Sequence, residues 1–325
     1  MKPRIMITGA AGFIGHHLAH RYLQSGHEVL SIDELNDYYD PELKKARLKR
    51  LALHATFSSE QFSIVDRERL LRTTEKFKPD LIFNLAGQVG VRNSIHHPHE
   101  YVSSNVVGFL NVLECARLFT PKHLFYASSS SVYGNNEKTP FSETDRTDHP
   151  LSLYAATKKS NELMAYAYSH LHSIPTTGLR FFTVYGPWGR PDMMLFKFTR
   201  AILADEEVEV YHHGKHLRDF TYIDDVVECM VKLAAAEGST QDLYRIFNVG
   251  NEQPILLEKV IECLEAELGK VAKKKQLPMQ AGDMISTASD TSALRAAIHD
   301  QPQTPITDGI RHFVKWYLEY YSANK

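Results

Sequence analysis

Arg4-Ile5-Met6-Ile7-Thr8-Gly9-Ala10-Ala11-Gly12-Phe13-Ile14-Gly15 is the stretch that decides the fold. Arg4 to Thr8 reads as a short apolar strand. It runs into three glycines spaced GxxGxxG, and a helical pattern follows from Phe13 to Gln24, with Leu18, Ala19, Tyr22 and Leu23 on one face. Strand, glycine turn and helix N-terminus together make an anion site. Backbone N–H groups and the positive end of the helix point at a pyrophosphate, and glycines let the backbone come close to it.

Working outward, a second strand from Glu28 to Ile32 ends at Asp33, eighteen residues past Gly15. An acid there suits the adenosine ribose 2′-hydroxyl of a dinucleotide. Glu34 follows and no arginine is adjacent, so a 2′-phosphate would be repelled; the cofactor expected is NAD rather than NADP. Phe62 to Val65, ending in Asp66, and Leu81 to Leu85, ending in Ala86-Gly87, read as the next strands, with a helix from Glu68 to Phe77 between them. Asp66 is placed to meet the adenine, and the Ala86-Gly87 turn to lie along the cofactor. Tyr101 to Leu118 reads as one helix with Val102, Val106, Phe109, Leu110 and Leu113 apolar and Asn105 polar within that face. Leu124 to Ala127 is a strand leading into Ser128-Ser129-Ser130-Ser131. A helix from Ser152 to His172 and a strand from Thr177 to Phe181 follow. This alternation implies a Rossmann-type α/β fold, a right-handed, parallel, doubly wound sheet.

After about Phe182 the rhythm breaks. Gly186 to Asp192 is turn-rich, Phe196 to Ala204 helical, Val208 to Tyr211 a short strand and Asp224 to Ala236 a helix. Ile246 to Val249 rejoins the sheet, Leu256 to Leu268 is helical, Gln276 to Met279 extended, and Ile306 to Tyr320 an amphipathic helix. The expected organisation is a cofactor domain over 1–182, to which 220–250 contributes elements, and a smaller interwoven substrate lobe over 183–325.

Composition bounds the rest. The chain has 325 residues, 43% hydrophobic and 23% charged, with a net charge of −2. That is enough for one large or two modest domains, and the balance offers no basic face for nucleic acid. There is no run of 18 apolar residues and no signal-peptide core, so no membrane partner is expected. Cys115, Cys229 and Cys263 are scattered and odd in number, as in a reducing compartment, which points to the cytoplasm. The histidines show no metal-ligand spacing, and no metal is expected.

The chemistry centres on Tyr154 and Lys158, four residues apart on one helical face. A lysine ammonium beside a phenol favours the phenolate, a base near neutral pH. Tyr211/Lys215 and Tyr321/Lys325 share the spacing, but neither follows a serine-ended strand. A hydroxyl from the serine run can share a substrate oxygen with Tyr154. The arrangement suits proton removal from a sugar or alcohol hydroxyl coupled to hydride transfer to NAD⁺.

The whole chain resembles the extended short-chain dehydrogenases/reductases, and within them the UDP-glucuronate 4-epimerases. Thr8 to Gly15 matches the cofactor motif, Tyr154 and Lys158 the catalytic pair, and Ser129 the usual catalytic serine or threonine. Narrower matches are Asn36-Asp37-Tyr38-Tyr39-Asp40, Ser128 through Gly134, and Leu179 through Met193. Arg218 to Asp225 is similar to the segment whose arginine holds the nucleotide diphosphate, and Gln280-Ala281-Gly282-Asp283 to a uridine-ribose segment. Departures are Asn84 for a common histidine, Asn93 for a common tyrosine and Ala281 for the usual proline.

The resemblance implies C4 epimerisation of a UDP-sugar through a 4-keto intermediate, with a homodimer formed through the helices at Tyr101 to Leu118 and Ser152 to His172. It implies a cofactor set of Gly9, Ala11, Gly12, Phe13, Ile14, Gly15, Asp33, Asn36, Asp66, Arg67, Leu85, Ala86, Gly87, Gln88, Asn105, Ser128 and Phe181 beside Tyr154 and Lys158. The implied substrate set is Ser129, Ser130, Arg92, Thr183, Arg190, Leu195, Tyr211, Arg218 and Asp283. Ser129, Ser130 and Arg190, with Arg92 as a further candidate, are the groups for a uronic carboxylate; Arg190 could instead serve a diphosphate or a loop salt bridge. Rival readings are a UDP-glucose or UDP-N-acetylglucosamine 4-epimerase, a UDP-glucuronate decarboxylase or dehydratase, and a catalytically silent NAD sensor. Related decarboxylating and dehydrating enzymes carry a Glu where this chain has Ser131, and the sensor would lack Tyr154 or Lys158.

Overall fold

The structure, a computed structural model, describes residues 2–236, 242–279, 286–299, 301 and 303–323. Strand β1 (Arg4–Thr8) passes through the glycine turn into helix α1 (Phe13–Gln24), followed by β2 (Glu28–Asp33), α2 (Pro41–Leu51), β3 (Phe57–Gln61), α3 (Arg67–Phe77) and β4 (Leu81–Asn84). Two one-turn helices, α4 (Asn93–His96) and α5 (Pro98–Tyr101), lead into a π-helical stretch, Val102–Gly108, which continues as α6 (Phe109–Phe119). Then come β5 (His123–Ser129), α7 (Leu153–His172) and β6 (Thr176–Phe181). The remainder is β7 (Thr183–Tyr185), α8 (Met194–Leu203), β8 (Glu207–Tyr211), β9 (Leu217–Tyr222), α9 (Ile223–Ala236), β10 (Tyr244–Val249), β11 (Pro254–Leu256), α10 (Leu257–Leu268), β12 (Lys273–Leu277), α11 (Ser292–Ile298) and α12 (Ile306–Ala323).

The main sheet has seven strands in the order β10-β6-β5-β4-β1-β2-β3, and the pairs from β6 through β3 are parallel. The order reverses between β1 and β4, the switch point at whose carboxyl ends doubly wound folds bind ligands. The chain divides into two compact units. One takes in 1–137, 143–181 and 230–248; the other takes in 138–142, 182–229 and 249–325. The first holds all of the main sheet except the end of β10. The second holds a three-stranded sheet, β11-β9-β7, and a parallel pair, β12-β8.

The core of the first unit follows from the apolar runs. Ile5, Met6, Ile7, Ile82, Phe83, Leu124 and Phe125 are fully buried, and Phe83 stacks on Phe125 with ring centroids 4.7 Å apart. Three expectations shift. The third strand is Phe57–Gln61, not Phe62 to Val65. It pairs only with β2 at the sheet edge and so is polar, whereas Phe62 and Ile64 are anchors of the following connection, buried in the core. The extended segment near the end is Lys273–Leu277, three residues earlier than Gln276 to Met279, because it pairs with β8. The helix expected from Tyr101 is wound as π over Val102–Gly108, which adds residues per turn and moves the buried face. Val102 and Leu110 are therefore exposed, while Phe109 and Leu113 stay buried.

The glycine turn is dictated by contact. Gly9 has φ +78, and a Cβ there would stand 2.6 Å from the Ala86 nitrogen; a Cβ on Gly15 would stand 2.2 Å from the Gly9 carbonyl oxygen. Only glycine lets β1 turn this tightly against the chain leaving β4. Gly9→Ala is expected to lower unfolding free energy by at least about 1–3 kcal/mol from backbone strain alone. Urea denaturation measures this, and an unchanged midpoint would contradict the steric reading.

Candidate active site

The carboxyl ends of β1, β2, β4 and β5 carry the site. Gly9 donates its N–H to the Ile32 carbonyl at 2.8 Å, and Leu85 donates to the Thr8 carbonyl at 3.1 Å, so the turn is stitched to both neighbouring strands. Asp33 closes it from the side. Its carboxylate accepts the Ala11 N–H and the Leu35 N–H, each at 3.0 Å. Burial pushes the Asp33 carboxyl up, and these two amides oppose that shift. Gly12 precedes α1 as its extended cap residue, leaving Phe13, Ile14 and Gly15 in the first turn. Asn36 is held by Lys44, whose ammonium donates to its side-chain and backbone oxygens. Asp66 caps α3 by accepting the Arg69 N–H at 3.1 Å, and Arg67 is that helix's first residue.

Asn105 lies in the π-helical stretch and is fully engaged. Its Oδ1 accepts the Gln88 N–H at 2.7 Å; its Nδ2 donates to the Gln88 carbonyl at 3.0 Å and to Thr157 Oγ1 at 3.1 Å. It thus ties the Ala86-Gly87-Gln88 turn to α7. A π-turn inside a helix commonly marks a functional position, and here it is the residue that bridges two parts of the site.

Helix α7 begins where Ser152 accepts the Ala155 N–H at 3.1 Å. That cap puts Tyr154 in the first turn, at the positive end of the helix dipole, where negative charge on the phenol oxygen is favoured. The Tyr154 ring packs edge-on against Tyr101, centroids 6.1 Å apart, and Tyr101 is pinned through its hydroxyl to the Val89 and Gly90 carbonyls. Lys158 is one turn further on and 3% exposed. Its ammonium donates to the Ala127 carbonyl at 3.0 Å, and burial pushes it down to about 8. A Cβ on Gly87 would be 3.5 Å from Lys158 Nζ, so the β4 turn and the lysine are immediate neighbours.

The serine run divides by role. Ser128 turns inward and donates to Glu162 Oε1 at 2.7 Å, so its hydroxyl is turned into the interior. Ser129 Oγ accepts the Ser131 N–H at 3.2 Å and the Ser131 hydroxyl at 3.0 Å, closing the turn in which Ser130 sits. Beneath it, Glu162 receives Arg180 Nε at 2.8 Å and Nη2 at 2.9 Å, both side chains buried. Arg180 also donates to the Tyr133 hydroxyl at 3.0 Å, and Tyr133 donates to Asn248 at 2.6 Å. Phe181 ends β6, buried.

Of the remaining candidates, Arg92 immediately precedes α4 and is exposed. In the second unit Thr183 opens β7, Leu195 is buried on α8, and Arg218 sits in β9 opposite Ile255. Arg190 pairs with Asp192. Tyr211 donates to Glu209 at 2.7 Å. Asp283 lies outside the described residues, as does Lys325 of the rival Tyr321/Lys325 pair.

Two residues had no signal in the sequence. Arg47 reads as one more cation in a charged helix, yet it is fully buried and donates to the Ala11 carbonyl at 2.8 Å, bracing the glycine turn from behind. Glu162 reads as a surface helix acid and is the centre of the buried network. Among the described residues no group of three or more His, Cys, Asp or Glu could hold a metal ion, and no helix is long and apolar enough to cross a membrane.

A dinucleotide cradle at the switch point, joined to a Tyr–Lys pair and a serine-ended strand, defines a nucleotide-dependent oxidoreductase-type site on a Rossmann sheet. Residues 5–250 match the NAD dependent epimerase/dehydratase family, and the chain belongs to that family. It is similar to Protein CapI of Staphylococcus aureus, 49% identical over 98% of this chain and 99% of that one. It is also similar to a probable UDP-glucuronate 4-epimerase of Rhizobium meliloti, 45% identical over 98% of each. Among solved structures it superposes on the UDP-glucuronic acid 4-epimerase of Bacillus cereus, in complex with UDP-glucuronic acid and NAD, with TM-score 0.90 and 30% identity over 98% of this chain and 100% of that one.

Breaking the buried pair leaves an uncompensated charge in the core. Arg180→Leu is expected to destabilise by about 3–5 kcal/mol, read by chemical denaturation; a loss below about 1 kcal/mol would deny the network its role. Lys158 carries its proton below about 8 and loses it above. A rate that depends on the Lys158 charge should therefore fall as pH rises through about 8. A rate that keeps climbing past that pH would contradict this.

Proposed function

We propose that the protein is an NAD-dependent 4-epimerase that converts UDP-glucuronate to UDP-galacturonate. The observation that carries the reading is the placing of Tyr154 and the buried Lys158 on the first turns of α7, beside the β4 turn and the end of β5. The Rhizobium meliloti relative is named a probable UDP-glucuronate 4-epimerase, the Bacillus cereus enzyme is a UDP-glucuronic acid 4-epimerase in complex with that substrate and NAD, and the chain matches both nearly end to end.

The glycine cradle fits the cofactor, since side chains on Gly9 or Gly15 would collide with backbone that forms it. The first-turn N–H groups of α1, those of Phe13 and Ile14, would hold the pyrophosphate and Asp33 the adenosine ribose, with Glu34 disfavouring a 2′-phosphate. The chemistry bound NAD supplies is reversible acceptance of hydride from C4 of the sugar. Tyr154 takes the C4 hydroxyl proton and later returns it. Ser129 and Ser130 hold the C4 oxygen and the carboxylate, and Lys158 steadies the phenolate. Between the two proton transfers the 4-keto sugar turns over in the pocket. Because that intermediate is a β-keto acid, its carboxylate must be held against loss of CO₂; Arg190 is assigned to it, with Arg92 as a further candidate. Arg218, Thr183, Leu195, Tyr211 and Asp283 are assigned to the UDP portion.

We assign the protein to the cytoplasm as a homodimer. Its three cysteines are buried thiols, as in a reducing compartment. The apolar side chains of Val107, Leu110, Leu163, Tyr166 and Leu171, on the π-helical stretch, α6 and α7, are exposed and suit a helical interface.

Incubation with UDP-glucuronate should yield UDP-galacturonate. UDP-xylose as the main product would make the protein a decarboxylase, and turnover of UDP-glucose alone a hexose epimerase. Tyr154→Phe should lower kcat by about 10²–10⁴-fold while NAD still binds; retained turnover would remove the base assignment.

A further inference from the structure

The chain leaving β5 is held on both sides of Ser131. Ser130–Tyr133 forms a single 3₁₀ turn, and Ser129 caps its start. Val132 and Tyr133 are buried beneath it, and the Tyr133 hydroxyl donates to Asn248 at 2.6 Å. The Ser131 carbonyl accepts the Gly134 N–H at 3.2 Å. Gly134 has φ +54, and a Cβ there would stand 2.0 Å from the His149 carbonyl oxygen. Packing below and the glycine turn behind fix the backbone at Ser131. Its N–H then lies 3.2 Å and its hydroxyl 3.0 Å from Ser129 Oγ, and both donate to that oxygen.

A serine hydroxyl has one proton to give and two lone pairs to receive with. Ser131 fills both lone pairs of Ser129, one from its backbone and one from its side chain. Among the described residues Ser129 donates its own proton to none, so what it offers outward is that proton. Accepting hydrogen bonds also makes the hydroxyl a stronger donor, because each bond in a chain polarises the next.

We propose that Ser131 is a positioning residue that makes Ser129 a donor only, so that the C4 hydroxyl of the sugar must present its proton to Tyr154. This rests on the assignment of Ser129 to the C4 oxygen and of Tyr154 as the base. A sugar hydroxyl has the same inventory as a serine. Were a lone pair of Ser129 open, the C4 proton could be given to it and turned away from the base, in a complex that binds well and does not react. With both lone pairs taken, Ser129 can only donate to the C4 oxygen. In the oxidation the C4 O–H bond breaks and its proton passes to Tyr154. The C4–H bond breaks and its electron pair leaves with the hydrogen as hydride to NAD⁺, while the O–H pair becomes the second bond of the carbonyl. A ketone oxygen can only accept, so the bond from Ser129 persists through the intermediate. When hydride returns to the other face and Tyr154 returns the proton, the new hydroxyl meets the same donor. One setting of Ser129 therefore serves both epimers. A serine that merely shaped the turn would act whether or not residue 129 carried a hydroxyl.

The experiment measures kcat and KM for UDP-glucuronate in Ser129→Ala, Ser131→Ala, Ser131→Thr and the double variant Ser129→Ala/Ser131→Ala. Turnover is counted per folded molecule, from near-ultraviolet circular dichroism, so partial unfolding does not enter. Ser131→Ala keeps the backbone N–H and opens one lone pair. It should lower kcat about tenfold, the worth of one hydrogen bond, without raising KM. Ser131→Thr keeps the hydroxyl and should recover most of the loss. Ser129→Ala should lower kcat at least as far as Ser131→Ala does. Adding Ser131→Ala to it should then change kcat by less than about twofold, because the group through which Ser131 acts is already gone. If Ser129→Ala leaves kcat at the wild-type value, the assignment of Ser129 to the C4 oxygen fails and this proposal with it. If Ser129→Ala lowers kcat, but Ser131→Ala either leaves it unchanged or lowers it by the same factor in both backgrounds, Ser129 keeps its role and Ser131 loses its own.

Discussion

The buried pair of Glu162 and Arg180 is the constraint on which the catalytic half of the structure depends. Two opposite charges out of water are tolerable only when every remaining donor and acceptor is met. Here Glu162 is met by Arg180 Nε and Nη2, by Ser128 and by Lys159, and Arg180 by Tyr133 and the Glu143 carbonyl. These partners come from α7, β5, β6 and the connection between β5 and α7. Satisfying the pair therefore fixes the rotation of α7 about its axis. Glu162 is one helical turn beyond Lys158 and two beyond Tyr154, so the same rotation fixes the face that carries them. A slip of one residue would turn that face by about 100° and leave a carboxylate buried without its partner.

Polar burial of this kind recurs around the site and takes a consistent form. Asp33 accepts two backbone amides, Asn105 saturates the Gln88 peptide, and Arg47 braces the Ala11 carbonyl. Each clamps an irregular piece of backbone, the glycine turn or the β4 turn, that has no ladder of its own to hold it. The turns are shaped by side chains from other elements, so their backbone amides are set before any ligand arrives. Such preorganisation is what an electrostatic site requires. Lys158 fits the same logic. Held to the Ala127 carbonyl in a desolvated position, it is a proton-bearing group whose charge is sensitive to pH in the working range.

Much of this was legible in the sequence. The glycine turn, the place of Asp33 at the end of β2, the serine run at the end of β5 and the Tyr154–Lys158 interval on α7 were all legible, because each depends on local geometry within one turn or one helix. Most strands and helices were legible for the same reason, since apolar periodicity records which face is covered. Where periodicity failed, a non-local cause is visible. The edge strand Phe57–Gln61 is polar because only one neighbour covers it, and the winding change at Val102–Gly108 moved the buried face by adding residues to the turn.

The sequence by itself determined the class of fold, the glycine turn and the four-residue interval that puts Tyr154 and Lys158 on one helical face. Tertiary structure alone decided which serine faces inward, which arginine and glutamate are buried, and that Arg190 is held by Asp192. Those facts depend on partners far apart in the chain or on a side-chain torsion. A carboxylate two residues from an arginine can point anywhere until packing closes the loop around both. Local sequence fixes which groups are near one another along the chain; only the packed structure fixes which way each one points, and in this site direction decides role.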